Sequence, residues 1–336
     1  MNDRYSRQVL FQSIGEMGQR KIRRKHVLIL GCGALGTGNA ETLVRAGIGK
    51  LTIIDRDYVE SSNLQRQQLF REQDAIDQMP KAIAGKYRLN QINSDVQIDA
   101  YVMDATAENL LPLLKGVDLV IDATDNFDVR FMINDLLQKQ QINWIFGSCV
   151  GSMGMSYAII PGRTPCINCI LHTMPLSGAT CDSVGIISPA VQMVVAHQTS
   201  EALKFLVGDH KSLRSRLVIF DLWNNQYQTI KVDRAKKEDC PTCGVNPSFP
   251  YLKYESKTKS EVLCGRNTVQ IRTGHEFHLE DLATRLQKLG QIKKNQYLVS
   301  LEYQSHRFMF FKDGRTLIHG TNSIDNAKKM YYQIMG

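Results

Sequence analysis

Short apolar runs alternate with longer stretches of helical period through the first half of the chain. Residues 26–30 form an apolar run that enters a glycine loop, as a parallel strand covered on both faces does. Residues 39–46 carry helical periodicity and meet Gly47 and Gly49, where a helix can end in a left-handed residue. Residues 51–55 are a second strand, which completes one strand–helix–strand unit. The pattern continues with a helix over 81–90, strands over 96–101 and 117–122, a helix over 130–139 and a fifth strand over 143–147. Upstream, residues 5–25 read as one helix or two, and Pro80 suits a first helical turn. This alternation predicts an α/β fold with a doubly wound, mostly parallel, Rossmann-like sheet.

Beyond residue 150 the period changes. A strand over 156–160 is followed later by 217–221 and 226–232, which alternate as an antiparallel extension does. Between them, Ser188-Pro189 opens a helix to about residue 207, with Ser188 as its expected N-cap. Pro241, Pro247 and Pro250 mark a linker, taken as 246–261. Residues 262–336 then read strand, helix, three strands and helix, with an Asp313-Gly314 hairpin turn. The expected organisation is one domain over 1–245 and a small accessory α+β domain over 262–336.

Composition narrows the setting. At 336 residues and 43% hydrophobic content the chain can bury one large core and a small second one. No apolar run is long enough for a bilayer, and the N-terminus has no signal-peptide core, so a cytoplasmic location without membrane contact is expected. The net charge of +8 draws on Arg20, Lys21, Arg23, Arg24 and Lys25 and on a lysine-rich last third. No stacking-aromatic motif or finger spacing accompanies it, so nucleic acid is not an expected partner.

The candidate chemistry begins at Gly31-Cys32-Gly33-Ala34-Leu35-Gly36. Gly31, Gly33 and Gly36 let backbone approach phosphates at a helix N-terminus, and Asp55 stands where an acid accepts ribose hydroxyls. Alone, this pattern fits an NAD-dependent oxidoreductase. Ser62, Asn63, Gln65 and Arg66 follow too closely to belong there, and Arg66 offers a planar fork for phosphate oxygens. Lys81 supplies a compact second cation at a helix start. Asp125 and Asn126 lie past the end of the fourth strand, on the rim where doubly wound sheets bind ligands, and a carboxylate there suits Mg2+ beside a polyphosphate. Cys166-Ile167-Asn168-Cys169 and Cys240-Pro241-Thr242-Cys243 have the internal spacing of a four-thiolate zinc site. Cys32, Cys149 and Cys264 read as small packing residues.

Together these segments resemble the MoeB/ThiF family, bacterial relatives of ubiquitin-activating enzymes. The likeness rests on residues 4–8, the glycine loop with Ala34 in place of a usual third glycine, residues 55–57 and 62–67, Pro80-Lys81, residues 124–126, both cysteine pairs and Thr180-Cys181. It spans residues 1 to about 245 in order. The resemblance implies an ATP-dependent adenylyltransferase acting on the C-terminal Gly-Gly of a ubiquitin-like sulfur carrier. By that match Arg66 and Lys81 contact phosphates, Asp125 holds magnesium, Asp55 holds the ribose, and Ser62, Asn63 and Gln65 line the site. Arg7 matches an arginine that reaches across a homodimer. Cys181 matches a cysteine that joins covalently to the carrier in ThiF-like members and is dispensable in MoeB-like ones, and a sulfur donor is a further expected partner. Molybdopterin synthesis is the favoured pathway, thiamine-thiazole synthesis the alternative, and a nicotinamide-dependent oxidoreductase or a non-catalytic adaptor the remoter readings.

Overall fold

Eight strands of the first two thirds of the chain pair into one sheet in the order β3-β2-β1-β4-β5-β6-β7-β8. They are β1 (His26–Leu30), β2 (Lys50–Asp55), β3 (Gln97–Val102), β4 (Leu119–Asp122), β5 (Trp144–Val150), β6 (Met153–Ile159), β7 (Arg216–Asp221) and β8 (Gln226–Lys231). The first five run parallel, and β6 to β8 extend the sheet antiparallel. The computed structural model describes residues 3–171, 184–252, 260–263, 267–273 and 275–335. Cys181 and Cys264 therefore lie outside the described residues.

The helices are α1 (Ser6–Val9), α2 (Gly15–Ile22), α3 (Ala34–Ala46), α4 (Glu72–Ile76), α5 (Lys81–Ile92), α6 (Ala107–Leu113), α7 (Phe127–Lys139), α8 (Ile167–Leu171) and α9 (Ser188–Val207). Alternation along the strands sends side chains to two buried faces. On one, Leu28, Leu30, Val120, Trp144 and Phe146 pack with Leu110, Ile133, Leu136 and Ile167 of α6, α7 and α8. On the other, Leu35 of α3 meets Val191, Val194 and Val195 of α9 and Phe220 of β7. The edge strand β8 is exposed along its whole length.

Two local expectations change within residues 1–254, and beyond them strands at Ser260–Leu263 and Gln291–Lys294 add to the four that the sequence predicts. The helix from Ser188 is capped by Ile187 in extended backbone with no side-chain cap bond, so Ser188 is its first helical residue rather than its N-cap. Three short helices, α4, α6 and α8, have no counterpart in the sequence reading. α6 holds Pro112 and α8 is only five residues long, so neither carries the sustained period that reveals a helix. The proline-marked stretch packs on α7: Tyr251 stacks on Phe131 at 4.8 Å, and its N–H donates to Asp135 at 2.8 Å.

The chain divides into two units, Met1–Ile76 with Pro80–Tyr254, and Asp77–Met79 with Glu255–Gly336. The second holds an antiparallel sheet in the order β11-β12-β13-β14-β10-β9, built from β9 (Ser260–Leu263), β10 (Thr268–Arg272), β11 (Gln291–Lys294), β12 (Leu298–Tyr303), β13 (His306–Phe311) and β14 (Arg315–His319). Helices α10 (Leu279–Leu286) and α11 (Ile324–Met335) close a core around Val299, Phe308, Phe310 and Ile318. The Asp313-Gly314 turn forms with Gly314 at φ +86°. The β12–β13 turn is made by Gln304 and Ser305, both at positive φ without glycine, which is why composition did not reveal it.

Candidate nucleotide site and four-cysteine cluster

The strand order places β1 beside β4, so the loops leaving their carboxyl ends adjoin at the point where the winding reverses. Ligands of doubly wound sheets bind there. The loop after β1 is built by steric necessity. Gly31 has φ +93°, and a Cβ on it would stand 2.6 Å from the Ala123 carbonyl oxygen of the facing loop. A Cβ on Gly36 would stand 1.9 Å from the Gly31 oxygen, so the first turn of α3 seats directly on the loop. Ala34 turns its methyl into the apolar cluster around Leu35 and Val191, which accommodates the departure from a third glycine. Cys32 and Cys149 pack as read: Cys32 is buried against Gly85, and Cys149 joins the α3–α9 cluster.

Asp55 ends β2 and ties the loop down. Its carboxylate accepts the Cys32 N–H at 2.6 Å and the Asp57 N–H at 2.7 Å. Burial pushes this carboxyl upward, against the pull of Lys81, and Asp57 adds to the rise. Lys81 opens α5 directly after Pro80 and is 3% exposed, with its ammonium 3.4 Å from Asp57. Asp55, Asp57 and Lys81 thus form one charged group under the glycine loop.

The segment after β2 folds on itself. Asn63 accepts the Glu60 N–H at 3.1 Å, closing a reciprocal capping turn. Arg66 donates to the Ser62 carbonyl at 3.0 Å, while Ser62 and Gln65 are exposed. Gln67, which the sequence reading did not single out as a site residue, is 4% exposed, and among the described residues its Oε1 has no hydrogen-bond partner. A Cβ on Gly33 would lie 3.8 Å from its Nε2, so this buried amide stands beside the glycine loop.

Past β4, Asp125 is exposed on the rim, and Asn126 caps α7 by accepting the N–H groups of Asp128 at 2.7 Å and Val129 at 3.3 Å. One carboxylate completed by phosphate oxygens and water is an ordinary magnesium arrangement, and Asp125 fits it. Beneath these residues lies a buried ion pair that sequence reasoning missed. Arg130 Nε donates to Asp122 at 3.0 Å, and both residues are buried. Their eight-residue separation, from a strand end into a helix, carries no pattern that spacing could have flagged. Arg7 is exposed on α1.

The four cysteines converge. Cys166 and Cys169 flank the start of α8, and all four sulfurs lie within 4.8 Å of one another. Cys166 and Cys240 are 3.7 Å apart, and Cys169 and Cys243 are 3.6 Å apart. A tetrahedral zinc with bonds of roughly 2.3 Å sets its sulfurs about 3.8 Å apart, whereas a disulfide needs about 2.05 Å. The donor set fits zinc. Hydrogen bonding from Cys166 holds the Cys243 thiol below the ordinary value, while the same bond raises Cys166 and burial raises Cys169. Helix α7 braces both knuckles: Asn134 accepts the Ile167 N–H at 3.1 Å, and buried Asp135 accepts the Thr242 hydroxyl at 2.5 Å.

A glycine loop at the switch point, cations beside it and a four-cysteine cluster that fits a metal define an α/β protein of the nucleotide-binding type. The chain belongs to the ThiF family, which it matches over residues 5–242. It is 48% identical over 341 residues to the sulfur carrier protein ThiS adenylyltransferase of Bacillus subtilis, covering all of both chains. It is 33% identical to the sulfur carrier protein adenylyltransferase of Thermus thermophilus, over 73% of this chain and 92% of that one. In fold it resembles the crystal structure of E. coli MccB with ATP, at TM-score 0.62 and 22% identity, over 73% of this chain and 75% of that one. Among the described residues no helix is long and apolar enough to cross a membrane.

Proposed function

We propose that this chain is an ATP-dependent adenylyltransferase for a ubiquitin-like sulfur carrier of the ThiS type, working in thiazole formation for thiamine. The observation that carries the reading is the 48% identity to a ThiS adenylyltransferase across the full length of both chains. It replaces the preference for molybdopterin stated from the sequence. The motifs within residues 1–245 carry the family resemblance and do not separate the two pathways. The full-length match also takes in residues 262–336, while the Thermus relative matches only 73% of this chain.

The chemistry asked of the site is modest in protons and demanding in charge. The carrier's C-terminal carboxylate is ionised at neutral pH and needs no general base. It attacks the α-phosphorus of ATP, the bond from that phosphorus to the bridging oxygen breaks, and pyrophosphate leaves. What must be supplied is alignment of two anions and compensation of the leaving charge. In this reading Arg66 releases the Ser62 carbonyl and turns its fork to phosphate. Lys81 is already held at the loop by Asp57. Asp125 holds magnesium, Asp55 takes the ribose hydroxyls with lone pairs left by its two backbone bonds, and Ser62, Asn63, Gln65 and Asn126 line the pocket.

Arg7 acts across a homodimer in this reading. Leu10, Phe11 and Met17 stand exposed near it in sequence at 70%, 62% and 65%, which supports a covered N-terminal face. Zinc held by Cys166, Cys169, Cys240 and Cys243 is structural, because a closed four-thiolate shell leaves no open position. Residues 262–336 form an accessory domain.

Pyrophosphate exchange tests the reading. Exchange is expected with a thiazole-type carrier ending in Gly-Gly and not with the same carrier lacking that tail. Exchange with a molybdopterin-type carrier alone would overturn the pathway, and exchange with neither would overturn the activity.

A further inference from the structure

The Arg130 backbone N–H donates to the Asn126 carbonyl at 3.2 Å, and the bonds of its side chain converge on the loop that bears Asp125. One guanidinium nitrogen donates to the Thr124 carbonyl and also to the Gly147 carbonyl at 3.1 Å. Another lies 3.4 Å from the Ser148 hydroxyl, and Nε binds Asp122. The opposite oxygen of Asp122 accepts the Thr124 N–H at 2.9 Å and its hydroxyl at 2.6 Å. Thr124 is therefore held at its N–H, its side chain and its carbonyl by one ion pair. The guanidinium also lies over the rings of Phe127 and Phe146, at 5.0 and 5.3 Å.

The same pair reaches the phosphate side. The Asp122 carbonyl accepts Gln198 Nε2 at 2.8 Å, and Gln198 Oε1 accepts Asn39 Nδ2 at 2.7 Å. Asn39 sits in α3, the helix seated on the glycine loop. A buried hydrogen-bonded path thus runs from α3 through α9 to the end of β4. All its members except Thr124 are at most 3% exposed, so the groups cannot exchange partners with water.

We propose that Arg130 is a positioning residue: with Asp122 it clamps Thr124 and thereby fixes the Asp125 carboxylate at the spacing from the glycine loop that a magnesium-bound triphosphate requires. The proposal rests on the adenylyltransferase reading above. Lysine at this position keeps a charge for Asp122 but cannot reach all four acceptors with one planar fork.

The test is ATP affinity by calorimetry, in EDTA and in magnesium, for wild type, R130K and T124V. D125N, which loses the proposed ligand itself, gives the reference. Wild type is expected to bind ATP more tightly with magnesium. R130K should keep its affinity in EDTA and lose most of the magnesium gain, about tenfold, as expected for one misplaced charged contact. T124V, which removes only the hydroxyl bond to Asp122, should lose less in the same direction and answers the question should R130K fold poorly. A magnesium gain retained in both variants overturns the clamp. So does an equal loss of affinity with and without magnesium, which marks a merely structural role. A wild-type chain that binds no ATP overturns the adenylyltransferase reading, and the clamp falls with it, an outcome read from wild type alone.

Discussion

The cysteine cluster and the nucleotide rim stand in one unit but are built on opposite principles. Each cysteine spends its sulfur on the cluster, and the four sulfurs already lie within 4.8 Å of one another, two pairs of them near tetrahedral spacing. Rim residues spend their polar atoms on one another: Asn63 on Glu60, Arg66 on Ser62, Asn126 on α7 and Lys81 on Asp57. A closed metal site needs only its ligands in place. A site that must take in a triphosphate and release pyrophosphate holds its groups in exchangeable local bonds until the ligand replaces them. The difference lies in reorganisation: the first site should show its effect in stability, the second in rate.

The sharpest way to break this contrast is Arg66→Ala. Adenylate formation should fall by roughly 10²–10³-fold or more, the scale for removing one charge-stabilising donor. Zinc content and melting temperature should stay at wild-type values, because among the described residues the Arg66 side chain bonds only the neighbouring Ser62 carbonyl. A large loss of stability would show that Arg66 builds the rim rather than serving it. Cys240→Ser is the converse. Zinc should drop below one per chain in metal analysis, with destabilisation on the order of several kcal/mol. ATP affinity measured below the new melting temperature should change little. Full zinc in that variant would remove the cluster from the account.

Asn126→Ala sits between the two regions. The loss of an N-cap costs about 1 kcal/mol. Since that cap also ends the 123–126 loop, exchange activity should fall as well, by less than in Arg66→Ala. A change in thermal stability with no change in rate would make Asn126 a cap and nothing more.

What the sequence disclosed follows the same division. The alternation of strands and helices, the glycine turn and the cysteine pairs are set by near neighbours: apolar runs, positive-φ glycines and a two-residue gap between thiols. The rim residues were found as residues, through their likeness to a family, but their bonding was not legible. Asn63 reads equally as a ligand and as the third residue of a capping turn, and only the fold shows the bond to Glu60. Arg130, Asp122, Gln198 and Asn39 were missed outright. They come from four elements up to 159 residues apart, and a buried polar network of that kind leaves no local pattern. Gln67 was quoted within a motif and passed over, since nothing in its spacing revealed a buried amide beside Gly33.

Acid is the least forceful probe, and it needs a correction before it bears on the cluster. Protons compete with zinc for thiolates, so acidification should release metal and lower stability together. A second group acts in the same direction. His26 opens β1 with its ring nitrogen 2.8 Å from the Thr52 hydroxyl, and burial together with the Lys50 charge holds its pKa below the ordinary value. A lowered folded-state pKa means that the fold prefers the neutral ring. The associated stability is present above the unfolded value of about 6.5 and is lost as pH falls through the folded value. His197, lowered by burial and by Arg214, adds to the same limb. His26→Gln can keep a polar contact to Thr52 without the titration, so its melting temperature should fall less than wild type's between neutral pH and the onset of zinc release. Metal release itself, followed with a chromogenic chelator, should be unchanged. An acid profile as steep in His26→Gln as in wild type would assign the whole acid limb to other groups, the thiolates foremost, and would make pH a direct readout of the cluster.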